Sequence, residues 1–428
     1  MTGMDAQPPA GDAHLGVRQQ EPPDAALEST PGECPVVRLE DGTWAVRGHA
    51  DVLQAATTPE VFSSAARRHL HVPNGMDGEE HRRFRAVVDR HLDDSRILPL
   101  APMITQVADR AATELVGGAD EGSGARVEVL HDYGRQIAVR VQSRWLGWPE
   151  SLEEELLGWI DDNFAATRSG DPRCNAEVAE HFDRIVHGVV QARRDLEARG
   201  EPLPDDPTSR LLHDEVEDPD APGDSRPLSE PELVSILRNW TAGDLGSIAA
   251  SVGVVVHHVA RDPQLQEQLR GLAREEARHT DELDAAVDEM LRIDDPFPSN
   301  RRVVTAPTEL AGYTFREGTP VALNWTAANR DERVFGDPDA YRPEENRAAN
   351  IVYGAGPHIC PGRVLSTLQI RGALAALLRA TTEISLDPDR EPTREDWPSR
   401  GFDTVPVVLQ PSSPGITAST ALRVGPTG

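Results

Sequence analysis

Tyr353-Gly354-Ala355-Gly356-Pro357-His358-Ile359-Cys360-Pro361-Gly362 is the stretch around which the rest of this 428-residue chain is organised. Its spaced glycines permit a tight backbone bend that other residues resist. Cys360 stands directly before a proline and a long apolar run through Leu365, Leu368, Leu374 and Leu378. Proline is favoured at the first position of a helix, where its missing N–H would be unpaired anyway. The pattern therefore predicts a cysteine at the mouth of a helix, with Gly362 leaving room for a flat group over the first turn. A helix N-terminus favours negative charge and lowers a thiol pKa, so Cys360 is expected as a thiolate. Taken alone, the string also fits an ordinary loop before a buried helix, and the remainder of the chain must decide.

A thiolate presented by a glycine-rich loop, with open space beside it, suits the axial ligand of a haem iron. The stretch resembles the haem-binding loop of the cytochrome P450 family, aromatic-Gly-x-Gly-x-His/Arg-x-Cys-x-Gly. It departs only at Tyr353, where phenylalanine is usual. The resemblance implies heme b (iron protoporphyrin IX) as cofactor and Cys360 as its metal ligand, with Gly354, His358 and Gly362 shaping the loop. It also implies a mainly α fold with a smaller β region, the haem lying between a long central helix and the cysteine-loop helix.

Composition fits that class. A hydrophobic content of 38% suffices for a globular core, and a net charge of −29 disfavours nucleic acid and anionic membranes as partners. The start of the chain lacks a basic region followed by an apolar one, and no unbroken apolar run is long enough to span a bilayer. Cys34, Cys174 and Cys360 are far apart and odd in number, which argues against a disulfide framework or zinc cluster and fits a reducing cytoplasm. Residues 1–34, rich in Pro, Gly, Ala and Asp, are expected to be disordered, 35–412 to form one domain, and 413–428 to be a loose tail.

Further segments support the resemblance in the order the family requires. His81 and Arg85, four apart, share one helical face. They are a solvated basic pair by themselves. The family places such a pair on the haem propionates, after a turn that Asp77 and Glu80 match here. Arg302, on an expected strand, matches the family's propionate arginine. Glu289 and Arg292 lie 71 and 68 residues ahead of Cys360. On a bare helix they are a surface ion pair; in the family they are a buried structural pair that braces the haem loop. Residues 213–227, acidic and rich in Pro and Gly, read as a surface loop.

Ser229-Glu230-Pro231-Glu232 is a capping box opening a helix that runs to about Ala260. Gly243, Gly246 and Gly253 interrupt it, each disfavoured by about 1 kcal/mol relative to alanine. They either open a groove for a ligand or allow close packing. The family's central helix carries Ala/Gly-Gly-x-Asp/Glu-Thr, an acid and an alcohol that relay protons through water. Here Thr241-Ala242-Gly243-Asp244-Leu245-Gly246-Ser247 departs from it. Aligned on its Ala-Gly start, Leu245 takes the acid position and Gly246 the alcohol. Aligned on Pro263, sixteen residues after Ser247, Gly246 takes the acid position and Ser247 the alcohol. The second register is preferred because it needs no gap up to the helix end. Asp244, three residues before Ser247, is expected near the same face as a partial substitute.

The resemblance implies a monooxygenase that inserts one oxygen atom of O2 into a small organic molecule. The broken acid–alcohol pair also admits an atypical enzyme performing oxidative coupling, rearrangement, nitration or peroxide-driven oxidation. A non-catalytic haem-thiolate sensor is the reading from a different class, and no output domain is visible for it. Expected substrate-lining residues are Asn239, Ala242 and Gly243 on the central helix, then Phe297, Pro298 and Ser299. Arg67, Arg68, His69 and His71 offer a hint of an anionic or polar substrate group. Electrons are expected from a separate ferredoxin and ferredoxin reductase, docking near Arg82, Arg83, Arg90 and Arg363.

Overall fold

The computed structural model describes residues 34–66, 70–118, 124–221, 223–395 and 400–412. The expected disordered start, the loose tail, and Arg67, Arg68 and His69 fall outside these, apart from Cys34.

Everything is built on the helix Glu230–Arg261, 32 residues and about 48 Å at 1.5 Å per residue. Its capping box is formed: the Ser229 N–H donates to Glu232 Oε2 at 2.7 Å, a length typical of charge-assisted bonds. It ends at Asp262, whose side chain caps the next helix, Pro263–Ala273, by accepting from the N–H groups of Gln264 and Leu265. Apolar on nearly every face, the central helix is long and apolar enough to cross a membrane by length and composition alone. Its most apolar window is nevertheless mostly buried within the protein. Val252, Val254, Val255, Val256 and Val259 are completely enclosed. A helix this apolar over most of its surface is one that the rest of the protein covers over most of its length.

Around it pack Ala101–Val116, Arg135–Leu146, Glu153–Ser169, Pro172–Ala198 and the cysteine-loop helix Arg363–Ala380. Leu130–Gly134 forms a π-type turn because Gly134 presses on the central helix; a Cβ there would meet the Ala249 carbonyl oxygen at 2.9 Å.

The β region is a five-stranded sheet in the order Val36–Arg38, Trp44–Val46, Pro320–Asn324, Ser299–Val304, Phe62–Ser63, parallel only between Trp44–Val46 and Pro320–Asn324. Its first hairpin turns at Gly42, whose φ is +82°. A three-stranded sheet pairs Thr381–Leu386, Pro406–Pro411 and Ala125–Glu128. The acidic stretch expected as a plain loop contains a hairpin, Glu215–Glu217 against Ser225–Pro227. Val216 anchors it, at 2% exposure.

Candidate active site

The cysteine loop is held by its backbone. Gly354 and Gly356 have φ of +77° and +71°, a region favourable only to glycine. At Gly356 a Cβ would lie 2.5 Å from the Ala56 carbonyl oxygen, so close approach as well as conformation excludes a side chain. The Cys360 N–H donates to the Tyr353 carbonyl at 2.9 Å and closes the loop. The helix begins only at Arg363, with Gly362 as its cap. Pro361 therefore lies in the preceding turn instead of at the first helical position. The expected low thiol pKa is also corrected: burial, followed by the nearby Asp244 carboxyl, pushes Cys360 up to about 12. A coordinated metal cation would favour the deprotonated sulfur against this burial.

Asp77 gathers the groups beside the loop. Its carboxylate accepts from the Ser63 hydroxyl at 2.6 Å and the Ser64 N–H at 3.0 Å, and lies 3.2 Å from His358 Nε2. Burial raises its pKa, but the hydrogen bonds from His358 and Ser63 outweigh this and hold it below the usual range. His81 stacks against His358 with ring centroids 4.1 Å apart. Burial and the charges of His358 and Arg85 push His81 down to about 4. Arg302 is buried, and its one hydrogen bond runs from Nη1 to the Arg301 carbonyl. No carboxylate among the described residues comes within ion-pair distance of it. Arg85, expected at a propionate, also engages the loop itself. Its Nη1 donates to the Pro357 and Ile359 carbonyls at 3.0 and 2.8 Å, and its Nε to Asp89, so it braces the cysteine loop.

Glu289 and Arg292 are 1% and 0% exposed. Arg292 Nε and Nη2 meet the two Glu289 oxygens at 2.8 and 2.9 Å. Arg292 also donates to the carbonyls of Asn329, Pro338 and Ala340, while Glu289 Oε1 accepts from the Arg342 N–H and Asn346 Nδ2. The pair knits its helix to residues 329–346, immediately ahead of the cysteine loop.

The three glycines of the central helix play different parts. Gly253 serves packing, since a Cβ would lie 2.6 Å from Leu130 Cδ1; a Cβ on Gly246 would lie 3.3 Å from the Phe164 ring; one on Gly243 would meet open space. Ser247 donates to the Gly243 carbonyl at 2.9 Å. Gly243, Gly246 and Ser247 line one wall of a cavity of about 180 Å³, opposite Phe164, Phe297 and Phe402.

Asp244 points elsewhere. Gln142 Nε2 donates to its Oδ2 at 2.9 Å, and the same oxygen lies 3.9 Å from where a Cβ on Gly362 would stand. Burial, opposed by the Gln142 bond, raises it to about 7. The expectation that it shares a face with the Ser247 hydroxyl is thus corrected. Residues three apart on a helix are offset by about 60°, and here that offset, with Gln142 holding the carboxyl, separates the packed side from the cavity wall.

Other expected lining residues are also revised. Asn239 Nδ2 is engaged with the Val72 carbonyl, Pro298 is buried, and Ser299 pairs with Asn324 in the sheet. The side chain of Ala242 lies outside what the structure describes. Gln142, Arg135, Arg168 and Arg400 were not anticipated. A polar residue on the apolar face of the Val129–Leu146 stretch was the available signal for Gln142; Arg400 had none.

A haem suits these residues. Arg302 is a buried cation lacking a carboxylate, which a propionate would provide, and Cys360 is a free sulfur beside a glycine that presents no side chain. The comparisons agree. Residues 173–410 match the family model described as Cytochrome P450. The chain is 26% identical over 400 residues to a steroid C26-monooxygenase of Mycolicibacterium smegmatis, covering 89% of this chain and 91% of that one. It is 27% identical over 416 residues to a vitamin D(3) 25-hydroxylase of Pseudonocardia autotrophica, covering 91% and 94%. Among solved structures, a mutant of P450 EryK in complex with erythromycin B gives a TM-score of 0.75 at 25% identity, covering 90% and 95%. The chain belongs to the cytochrome P450 family. It is a haem-thiolate monooxygenase that uses heme b and acts on a small molecule.

Proposed function

We propose that Cys360 is the axial ligand, that Arg302, His81 and His358 receive the haem propionates, and that Ser247 positions the water that delivers protons. When bound, haem supplies the iron chemistry by which one oxygen atom of O2 enters the substrate. The observation that carries the reading is the Ser247 hydroxyl on the cavity wall. Its hydrogen is given to the Gly243 carbonyl, which leaves its lone pairs to accept from a water. Gly246, at the acid position, adds space for that water and no proton-transfer group. Asp244, turned to Gln142, sets the environment between the central helix and the cysteine-loop helix.

The relatives include an epothilone C/D epoxidase of Sorangium cellulosum, 25% identical over 419 residues. This supports a role in secondary metabolism; the three widely spaced cysteines, none of them paired, support a place in the cytoplasm. Electrons come from a separate ferredoxin and its reductase. Arg82 and Arg90 are paired with Glu79 and Asp214, which leaves Arg83 and Arg363, with the exposed Leu98 and Ile359, as the docking face beside the cysteine loop. The test is product formed per electron supplied, for the wild type and Ser247→Ala. A sharp fall, with reducing equivalents released as peroxide, supports the relay. Unimpaired coupling moves the chain to oxidative coupling, rearrangement, nitration or peroxide-driven chemistry, in which the gap at Gly246 carries no penalty.

A further inference from the structure

We infer that the substrate is an organic acid whose carboxylate is received by Arg400. The inference rests on the reading that the cavity beside Gly243 and Ser247 is the substrate site, and it names the class of molecule that enters.

The argument is one of charge. Three guanidinium groups line the cavity: Arg135, Arg168 and Arg400. Arg135 is paired with Asp161. Arg168 holds both lining carboxylates, with Asp403 at 2.8 Å and Glu395 at 3.4 Å. Arg400 has no hydrogen bond or ion pair among the described residues. Two further carboxyl groups send their field toward it, and neither is available as a counterion. Asp294 is engaged by both outer nitrogens of Arg394 at 2.6 and 3.2 Å. Asp295 is completely buried, gives one oxygen to the Phe297 N–H at 2.7 Å, and makes no ion pair with Arg400; burial, which raises its pKa, works against its charged form.

Arg400 is therefore the surplus cation of the lining. It has also lost part of its hydration, since burial is the main influence lowering its pKa. A guanidinium remains charged in a protein, and a partly desolvated charge without a partner is unfavourable unless a ligand supplies one. A single planar fork matches a single carboxylate in two parallel hydrogen bonds. A doubly charged phosphate would call for more than one free cation. The remaining wall, formed by Leu130, Phe164, Ala250, Phe297 and Phe402, accepts an apolar body between the carboxylate and the central helix.

The position of Arg400 is structurally defined. The adjoining Gly401, at φ +82°, packs its backbone against Pro296, where a Cβ would lie 3.1 Å from Pro296 Cβ. Because Arg400 has no ion pair to break, its replacement leaves the fold intact.

The test uses the haem-loaded protein and three acids, octanoate, 4-phenylbutyrate and indole-3-acetate, each beside its methyl ester. Dissociation constants are measured from the ferric Soret shift and, independently, by calorimetry. Each acid that binds should do so roughly ten- to hundred-fold more tightly than its ester, the range expected for a hydrogen bond to a charged group. Arg400→Ala should abolish that preference while leaving ester affinity unchanged, and Arg400→Lys should retain part of it. Three results overturn the inference: no acid binding, esters binding as well as acids, or an acid preference that survives Arg400→Ala. The carbon-monoxide spectrum of the same samples reports the haem thiolate separately. A normal spectrum with no acid preference therefore defeats the inference and leaves the haem-thiolate reading standing.

Discussion

The two sides of the haem site are built by different means. On the cysteine side, the elements are fixed by backbone geometry and saturated hydrogen bonding: positive-φ glycines, the Cys360 N–H on Tyr353, Arg85 on two loop carbonyls, and a doubly bonded Glu289–Arg292 pair. On the opposite side, the central helix offers an open Gly243, a serine bonded to its own helix and a ring of side chains from distant segments. The first side tolerates little substitution because each member satisfies several buried groups. The second tolerates much, because a cavity wall constrains shape and charge more than residue identity. On the proposed reading, the rigid side would hold the iron and the variable side would decide what the iron meets.

That contrast can be broken most forcefully at Arg292. Its replacement strands a buried carboxylate and several carbonyls, and removing one member of a buried pair typically destabilises by about 3–5 kcal/mol. Arg292→Ala should give little or no folded, haem-loaded protein, as measured by the ratio of Soret to protein absorbance. Full loading with an unchanged melting temperature would show that the cysteine side is not so constrained.

Next in size is Gly356→Ala, which combines a left-handed backbone with a contact that has no flexible partner to yield. Strain of about 1–3 kcal/mol should appear as weaker haem retention on dilution. Gly243→Ala is the matching control on the other side. It meets open space and should leave haem retention unchanged, read by the same dilution assay.

Ser247→Ala should leave folding and haem content alone and lower product per electron. A positioned proton-transfer group typically contributes about 10²–10⁴-fold, and a residue that acts through a water should fall toward the lower end. Asp244→Asn should have the smallest effect on coupling, because its carboxyl faces Gln142 and not the Ser247 hydroxyl. Equal losses in the two variants would indicate a shared water chain.

The same contrast explains what could be read from the chain. The cysteine loop, the Glu289–Arg292 pair and Arg302 were legible because their geometry demands particular residue types at particular spacings. The capping box at Ser229 was legible for the same reason. The start of the loop's helix was misread: it begins at Arg363 and not at Pro361, and burial raises the Cys360 pKa instead of the dipole lowering it. Asp244 was misplaced because spacing gives a helical direction but not what packs there; Gln142, a hundred residues earlier, decides it. Arg135, Arg168 and Arg400 meet at the cavity from three separate segments, and no local pattern announces such a convergence.

The central claim is that Cys360 binds the haem iron as a thiolate. The most direct test is the absorption spectrum of the reduced protein under carbon monoxide, for the wild type and Cys360→His. The wild type should show the strongly red-shifted Soret band of a thiolate ligand, and Cys360→His should move it to the position of a nitrogen ligand. An identical band in both proteins would contradict the assignment.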